Sequence, residues 1–365
     1  MPGLAATLRH LAHVRRDHAP GLDAANTPGL VESFDFGANP GALRMLAHVP
    51  ETLPHGAPLV VVLHGCTQDA AGYNRGAGWS TLADRHGFAV LLPEQIRANN
   101  ANSCFNWFLP ADVARDRGEA MSVRQMIARM IADHQIDPAR VFITGLSAGG
   151  ALTAAMLAAY PEVFAGGAII AGLPAGAATS LQGALEAMFQ GRSHPAREWG
   201  DHVRITSGHP GPWPRIQIWH GDADATVKPS NAGELVKQWT DVQGLPVTPS
   251  MTDTVDGAAH QAWLDGNGEV VLETFMLPGF VHGTPIDTGS ADLDHAVGVA
   301  GPHMLEAGIS STWHIVNAFG VLTAAPQARP ARLVAVGQPE SADDGVGGII
   351  AKALRAAGLL PSEKN

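Results

Sequence analysis

The stretch that decides the fold is Val141-Phe142-Ile143-Thr144-Gly145-Leu146-Ser147-Ala148-Gly149-Gly150. Its β-branched and aromatic residues predict a buried strand, and the Ala-rich segment 151–160 predicts a helix packed behind it. Between them, the pattern G-x-S-x-G places Ser147 on a tight turn whose glycines avoid clashes with the adjoining strand and helix. Because the chain contains 42 glycines, this pattern alone is weak evidence. The strand, turn and helix together predict that Ser147 is a nucleophile.

Two backbone N–H groups are candidate donors to an oxyanion, the negatively charged oxygen that forms when a nucleophile attacks a carbonyl. The N–H of Ala148 is expected at a helix N-terminus, where the helix dipole favours negative charge. The aliphatic run 59–63 predicts a strand buried on both sides, and it leads into His64-Gly65-Cys66. In α/β-hydrolases the turn after this strand supplies a second donor, here the N–H of Cys66. The side chain of His64 is expected to pack as a structural residue.

A serine nucleophile needs a histidine base and a carboxylate that holds the imidazole in one tautomer. In α/β-hydrolases these residues occur in the order serine, acid, histidine. The predicted strand 216–221 is followed directly by a turn that contains both Asp222 and Asp224. One of them is the candidate acid, and the other is expected to form the turn.

The candidate base is His282, in a Gly- and Pro-rich loop just after the predicted strand 270–277. That strand pairs with residues 260–265 in a predicted hairpin with an Asn-Gly turn. The chain has 17 histidines, so residue type alone selects none of them. His260 and His303 are competing candidates.

An Asn-rich loop, residues 99–108, follows the predicted strand 88–92 at its carboxyl end, where ligands bind in open parallel sheets. It contains Trp107 and Phe108, for which core packing and substrate contact are equally consistent with the pattern. Trp219, in the strand before the candidate acid, is a third candidate substrate contact.

Cys66 and Cys104 are the only cysteines, and both fall in loops at the same predicted edge of the sheet. A disulfide between them would join the turn at residues 64–66 (the oxyanion turn) to the loop 99–108 (the aromatic loop). It would add roughly 3 to 4 kcal/mol of stability. A reducing compartment predicts free thiols instead. The placement of the loops favours the disulfide, and the missing export signal opposes it. No C-x-x-C spacing indicates a zinc site, so no metal is expected.

The composition is that of a globular protein with one large α/β domain: 365 residues, 45% hydrophobic and 16% charged. The net charge of -11 argues against nucleic acid as a partner. No segment has the apolar length of a membrane span. The N-terminus lacks the apolar core of a signal peptide, which makes a cytoplasmic location the default expectation. The sequence leaves the oligomeric state open.

Three parts are expected along the chain. Residues 1–34 predict an amphipathic helical extension, and residues 35–322 the catalytic domain. Within that domain, the Pro-rich insertion 173–214 is expected to cap the site. Residues 323–365 are expected to form a linker followed by a short helix or a loose tail.

Several motifs, taken in order, resemble those of the polyhydroxybutyrate (PHB) depolymerase family of esterases. They are Leu63-His64-Gly65-Cys66, Cys104-Phe105-Asn106-Trp107-Phe108, Gly145-Leu146-Ser147-Ala148-Gly149-Gly150, His220-Gly221-x-x-Asp224-x-x-Val227, Gly279-x-x-His282-Gly283-Thr284-Pro285 and Gly308-Ile309-Ser310-Ser311-Thr312-Trp313-His314-Ile315. The resemblance implies an α/β-hydrolase fold, with a mostly parallel sheet and helices on both faces. By position it implies nucleophile Ser147, acid Asp224 rather than Asp222, and base His282. It also implies that the N–H groups of Cys66 and Ala148 bind the oxyanion.

The sequence thus predicts a serine carboxylester hydrolase that cleaves short-chain hydroxyalkanoate esters, of the polyhydroxybutyrate type or similar, through an acyl-enzyme and without a cofactor. The family that it resembles includes secreted enzymes and is related to feruloyl and acetylxylan esterases, so a carbohydrate esterase is the alternative function. A hydrolase-fold binding protein without activity is opposed by the complete set of triad candidates. The expected partner is therefore an ester, either a small molecule or an oligomer or polymer.

Overall fold

A ten-stranded sheet organises the residues that the structure, a computed structural model, describes: 29–289 and 293–322. Its strands, in chain order, are β1 (Val31–Ser33), β2 (Arg44–His48), β3 (Leu59–Leu63), β4 (Ala89–Glu94), β5 (Val141–Leu146), β6 (Gly166–Ile170), β7 (Arg215–Gly221), β8 (Met251–Val255), β9 (Ala258–Leu264) and β10 (Val270–Leu277). They lie in the order β1-β2-β4-β3-β5-β6-β7-β10-β9-β8. The strands from β4 to β10 in this order are parallel, and antiparallel strands form both edges. Two short strands, β11 (Thr284–Ile286) and β12 (Met304–Glu306), pair separately.

Helices cover both faces of this sheet. They are α1 (Ala70–Ala77), α2 (Trp79–His86), α3 (Pro110–Val113), α4 (Gly118–His134), α5 (Ala148–Ala159), α6 (Leu181–Phe189), α7 (Ala196–Ser207), α8 (Ser230–Gln243) and α9 (Ser311–Ala318). Side chains of α4 to α8 pack into a core on one face, and those of α1, α2 and α9 into a core on the other. The predicted architecture, a mostly parallel sheet with helices on both faces, is confirmed. No helix in the described part of the chain is long and apolar enough to cross a membrane.

Strand β3 illustrates why the sequence folds in this way. Leu59, Val61 and Leu63 pack into one core, and Val60 and Val62 pack into the other. None of these side chains is more than 1% exposed. A continuous aliphatic run is therefore buried on both sides, as expected of a central parallel strand.

The pairing register brings the loops that hold the candidate site residues to one edge of the sheet, the edge formed by the carboxyl ends of the parallel strands. Leu63 pairs with Gly145 near the ends of β3 and β5, so the turn after β3 lies beside the serine turn. Gly221 pairs with Leu277 at the ends of β7 and β10. Because parallel strands end at the same edge of a sheet, the residues that follow these four strands lie along that edge.

The strands predicted from aliphatic runs are present, and so is the hairpin of β9 and β10, whose turn is closed by a hydrogen bond from Asp265 to Glu269. The insertion 173–214 forms α6 and α7, and α7 packs against α8. Helix α8 and the edge strands β1 and β8 are among the elements that the sequence does not predict. Most of the predicted N-terminal helical extension, residues 1–34, lies outside the described residues, but its last part is not helical, because residues 31–33 form β1 and pair with β2 of the sheet. The predicted linker and C-terminal helix, residues 323–365, lie outside the described residues.

Candidate active site

Ser147 occupies the turn between β5 and α5, and its backbone is strained. Its φ and ψ are 57° and -115°, a combination that only a well-supported turn maintains. A Cβ on Gly149 would lie 2.3 Å from the carbonyl oxygen of Leu63, and one on Gly145 would lie 2.5 Å from the backbone of Gly149, so both positions require glycine. The N–H of Ser147 donates to the carbonyl of Ile170 in the neighbouring strand at 2.9 Å. This geometry is that of a nucleophile elbow.

Asp224 and His282 form a hydrogen-bonded pair at the ends of two adjacent strands. Asp224 follows β7 and His282 follows β10. The Nδ1–H of His282 donates to Oδ2 of Asp224 at 2.7 Å. The Asp224 side chain is fully buried, and that of His282 is 10% exposed. Because Nδ1 carries this proton, Nε2 is the nitrogen that can accept a proton from a serine hydroxyl.

The surroundings of Asp224 keep its carboxylate ionised. Oδ1 accepts from the N–H groups of Thr226 at 2.8 Å and Val227 at 2.9 Å. Burial alone would raise the pKa of Asp224. The imidazoles of His220 and His282, with the backbone N–H groups, outweigh burial and hold this pKa well below its usual range. A triad acid must stay ionised, because its negative charge stabilises the imidazolium that forms during the reaction.

Asp222, the other candidate acid, forms the turn instead. Its exposed carboxylate accepts from the N–H of Gly279 at 2.6 Å, which ties the turn after β7 to the turn after β10. The structure therefore pairs Asp224, and not Asp222, with His282.

The two competing histidines lie in different surroundings. His260 is on β9, where its ring nitrogens contact the carboxylates of Asp253 at 2.7 Å and Glu273 at 3.0 Å. His303 is exposed beside the candidate base, with its ring centroid 5.9 Å from that of His282. His260 thus belongs to a hydrogen-bonded cluster that spans β8, β9 and β10, whereas His303 borders the site.

The turn after β3 presents the N–H of Cys66. The N–H of Gly65 donates to Oε1 of Gln68 at 2.8 Å, which closes the turn. Nε2 of His64 accepts from the N–H of Gln95 at 3.1 Å, so Nδ1 carries the proton and donates to the Gly65 carbonyl at 2.8 Å. That carbonyl belongs to the same planar peptide group as the Cys66 N–H, so holding one fixes the direction of the other. The side chain of His64 therefore orients this peptide as well as packing.

The second candidate donor, the N–H of Ala148, lies in the first turn of α5. Helix N-terminal N–H groups carry partial positive charge. Across residues 29–289 and 293–322, neither this N–H nor that of Cys66 has an acceptor. Both are free to donate to a bound oxygen.

A disulfide joins Cys66 to Cys104 and so links the oxyanion turn to the loop 99–108. The N–H of Thr67 also donates to the carbonyl of Asn102 at 2.7 Å. The two loops are therefore tied by one covalent bond and one hydrogen bond at neighbouring residues.

Of the three aromatic candidates, Phe108 keeps the most exposed surface and is half-buried. Trp107 is 7% exposed and meets Phe108 edge to face, with ring centroids 5.6 Å apart. The prediction that Trp219 contacts substrate is wrong. Its ring has no exposed surface, stacks on Phe275 at 3.9 Å and donates its Nε1–H to Gln217. Because β7 is buried on both faces, its sequence does not show which side chains reach the site.

A buried polar network that the sequence does not predict supports these loops. Glu119 in α4 is 1% exposed and accepts from the N–H of Asn106 at 2.9 Å and from Nε2 of Gln95 at 2.5 Å. Burial raises the pKa of Glu119 to about 8. In the sequence this residue resembles an exposed helix glutamate, so only the packing of the loops over it identifies it. In the described residues, no group of three or more His, Cys, Asp or Glu side chains is arranged to hold a metal ion.

The sheet order, the strained serine turn and the buried Asp–His pair are those of the α/β-hydrolase class. The structure is similar to that of acetyl xylan esterase from Aspergillus awamori, with a TM-score of 0.64 and 28% sequence identity. That match covers 69% of this chain and 93% of the other. The fold is therefore the α/β-hydrolase fold, as the sequence predicts.

Sequence comparison identifies the family. The model of the family described as Esterase PHB depolymerase matches residues 46–252. The chain is 45% identical to poly(3-hydroxyalkanoate) depolymerase C of Paucimonas lemoignei over 302 residues, which are 82% of this chain and 72% of that protein. It is 34% identical to the acetylxylan esterase of Coprinopsis cinerea over 278 residues, 73% of each. The chain belongs to the esterase PHB depolymerase family, and it is a serine ester hydrolase.

Proposed function

We propose that this chain hydrolyses short-chain hydroxyalkanoate esters, of the polyhydroxybutyrate type, through an acyl-enzyme on Ser147. The 45% identity with a poly(3-hydroxyalkanoate) depolymerase supports the substrate class. The observation that carries the mechanism is the 2.7 Å hydrogen bond from His282 to the buried Asp224, at strand ends that share an edge with the strained serine turn.

The reaction has two halves. Oγ of Ser147 attacks the ester carbonyl carbon while Nε2 of His282 takes the hydroxyl proton. The C–O bond to the alcohol then breaks, and His282 gives its proton to the departing alcohol oxygen. In the second half, His282 takes a proton from water, whose oxygen attacks the acyl carbon. The bond to Ser147 breaks, the serine regains a proton from His282, and the carboxylic acid leaves.

The N–H groups of Cys66 and Ala148 are the proposed oxyanion donors. Each lacks an acceptor among the described residues and lies beside the serine turn. Fixed donors of this kind stabilise charge that develops only in the transition state, and the loss of one lowers the rate on the order of 10² to 10³-fold. The bond from His64 to the Gly65 carbonyl keeps the Cys66 donor in place before substrate arrives.

The proposed substrate contacts are Phe108, backed by Trp107, and the insertion 173–214. The disulfide holds the loop of Phe108 against the oxyanion turn. The insertion is anchored beside the site, because the carbonyl of Met188 in α6 accepts from the N–H of Lys228 in the segment after β7 at 2.9 Å. These contacts would select the acyl group and the alcohol.

A carbohydrate esterase, cleaving acetyl or feruloyl groups, is the second candidate function. The similarity to the acetyl xylan esterase of Aspergillus awamori, with a TM-score of 0.64, favours it, as does 34% identity to the enzyme of Coprinopsis cinerea. The two functions share the mechanism and differ in the groups that contact the acyl chain.

A substrate panel separates the two. The panel contains methyl esters of 3-hydroxybutyrate oligomers, methyl ferulate and acetylated xylan, with the Ser147→Ala variant as the control for background hydrolysis. We expect kcat/KM on the hydroxybutyrate oligomers to exceed that on the other two by about tenfold or more. A preference for ferulate or xylan acetate would assign the carbohydrate esterase function instead.

A further inference from the structure

His220, in β7, lies beside the proposed acid and takes no part in the mechanism above. Its side chain is fully buried, as is that of Asp224. Nε2 of His220 is 2.9 Å from the carbonyl oxygen of Val227. A carbonyl oxygen only accepts, so Nε2 carries the proton. The same nitrogen is 3.4 Å from Oδ2 of Asp224, the oxygen that receives the Nδ1–H of His282.

His220 therefore supports the carboxylate on two sides. Its bond to the Val227 carbonyl fixes the turn whose N–H groups, from Thr226 and Val227, hold Oδ1 of Asp224. Its N–H also presents partial positive charge to Oδ2. Rotation of the carboxylate away from His282 would disturb both sets of contacts.

The other ring nitrogen argues against a role in packing alone. Nδ1 of His220 is buried and has no hydrogen-bond partner within the described part of the chain. A buried acceptor without a partner destabilises a fold, so an apolar side chain of similar volume would pack here without that penalty. The Nε2–H, on the opposite side of the ring, is the group that contacts the Val227 carbonyl and the Asp224 carboxylate.

We propose that His220 is a positioning residue that holds the Asp224 carboxylate in the orientation in which Oδ2 faces His282. This inference rests on the proposed triad of Ser147, Asp224 and His282. It concerns how the acid is held, and no step of the reaction passes through His220.

The test compares three variants in kcat and KM with a soluble ester. His220→Gln keeps an N–H near the position of Nε2, and His220→Phe removes it. The third variant, His220→Asn, also removes this N–H, because the shorter amide does not reach Val227. His220→Asn takes the place of His220→Phe if the His220→Phe protein does not fold. We expect His220→Phe to lower kcat about 10- to 100-fold with KM changed less than about threefold, and His220→Gln to restore kcat to within about threefold of the wild type.

The Asp224→Asn background shows whether His220 acts through the acid. There, adding His220→Phe should change kcat less than about twofold, because the group that it positions is already lost. Full activity of His220→Phe, an equal loss in His220→Gln, or an additive loss in the double variant would overturn the inference. If Asp224→Asn itself were fully active, the proposed triad would fail, and that result is distinct from a failure of His220 alone.

Discussion

At the residue scale, the chemistry depends on the backbone of Ser147, which lies at φ 57° and ψ -115°. Such a conformation costs on the order of 1 to 3 kcal/mol and persists only where neighbouring contacts impose it. The local pattern of strand, glycines and helix predicts this turn, because the serine and the glycines that it needs are adjacent in the chain, although Leu63 and Ile170 on neighbouring strands also contact it. The choice between Asp222 and Asp224 is different, since both follow the same strand. Side-chain direction decides it, and the strand-and-turn pattern does not give that direction; from the sequence, only the resemblance to the esterase family selects Asp224.

The pairing of Asp224 with His282 gives the first prediction. Asp224→Asn should lower kcat on the order of 10⁴-fold, because the amide no longer holds the imidazole in the required tautomer. Asp222→Asn is the matched control: it changes an exposed carboxylate that binds Gly279, so its effect should be far smaller. Steady-state kinetics on one ester measures both, and the opposite ranking would move the acid to Asp222.

The second prediction concerns the buried Glu119, whose pKa is raised from 4.5 to about 8 by burial. The folded state holds this proton more tightly than the unfolded state does. The stability that it contributes is therefore present in full below about pH 4.5 and is lost as pH rises to about 8. One pKa unit corresponds to about 1.4 kcal/mol, so the loss is on the order of a few kcal/mol.

Thermal melts of the wild type and Glu119→Gln between pH 5 and pH 9 test this, as the pKa of about 8 lies in that range. The wild-type melting temperature should fall relative to that of Glu119→Gln as pH rises, because glutamine stays neutral. Glu51→Gln, at an exposed turn, is the control and should follow the wild type. If the melting temperatures of Glu119→Gln and the wild type changed in parallel with pH, Glu119 would not be a neutral, buried side chain.

At the element scale, the two loops at the site act as one unit. The disulfide from Cys66 to Cys104 and the hydrogen bond from Thr67 to Asn102 join the oxyanion turn to the aromatic loop. Strands such as β3 are predictable because burial on both faces demands an aliphatic run. Strand β8 is not, because four of its five side chains are exposed and leave no alternating pattern. The surroundings of Trp219 and Glu119 likewise come from elements distant in the chain.

The third prediction is that reducing the disulfide loosens both loops together. The bond closes a loop across a separation of 38 residues. Reductant should therefore lower the free energy of unfolding by roughly 3 to 4 kcal/mol. It should also lower kcat, because the Cys66 N–H loses its fixed position. Melting temperature and activity with and without dithiothreitol measure the two effects.

The matched control is the double variant Cys66→Ser/Cys104→Ser, which keeps the backbone N–H of residue 66 but cannot form the disulfide. It should behave like the reduced wild type and not respond to reductant. A thiol count on unfolded, unreduced wild type should find none. Two titratable thiols would contradict the bond that the structure contains.

At the scale of the whole molecule, the sheet order places the four contributing loops along one edge. Strands β3, β5, β7 and β10 run parallel, with β6 between β5 and β7, so the residues after them meet although they lie far apart in the chain. Motif order predicts which loops take part, and the α/β-hydrolase fold follows from those motifs. The distances within the site follow from packing of helices on both faces, which no local pattern specifies.

Covalent labelling with a p-nitrophenyl phosphonate ester, which phosphonylates an activated serine and releases p-nitrophenol, tests directly whether Ser147 is the nucleophile. We expect one adduct per chain, on the peptide that contains Ser147, with activity lost in proportion to labelling. The Ser147→Ala variant should fold, resist labelling and retain several orders of magnitude less activity than the wild type. An adduct elsewhere accompanied by full inactivation, or a Ser147→Ala enzyme with more than about a tenth of wild-type activity, would contradict Ser147 as the nucleophile.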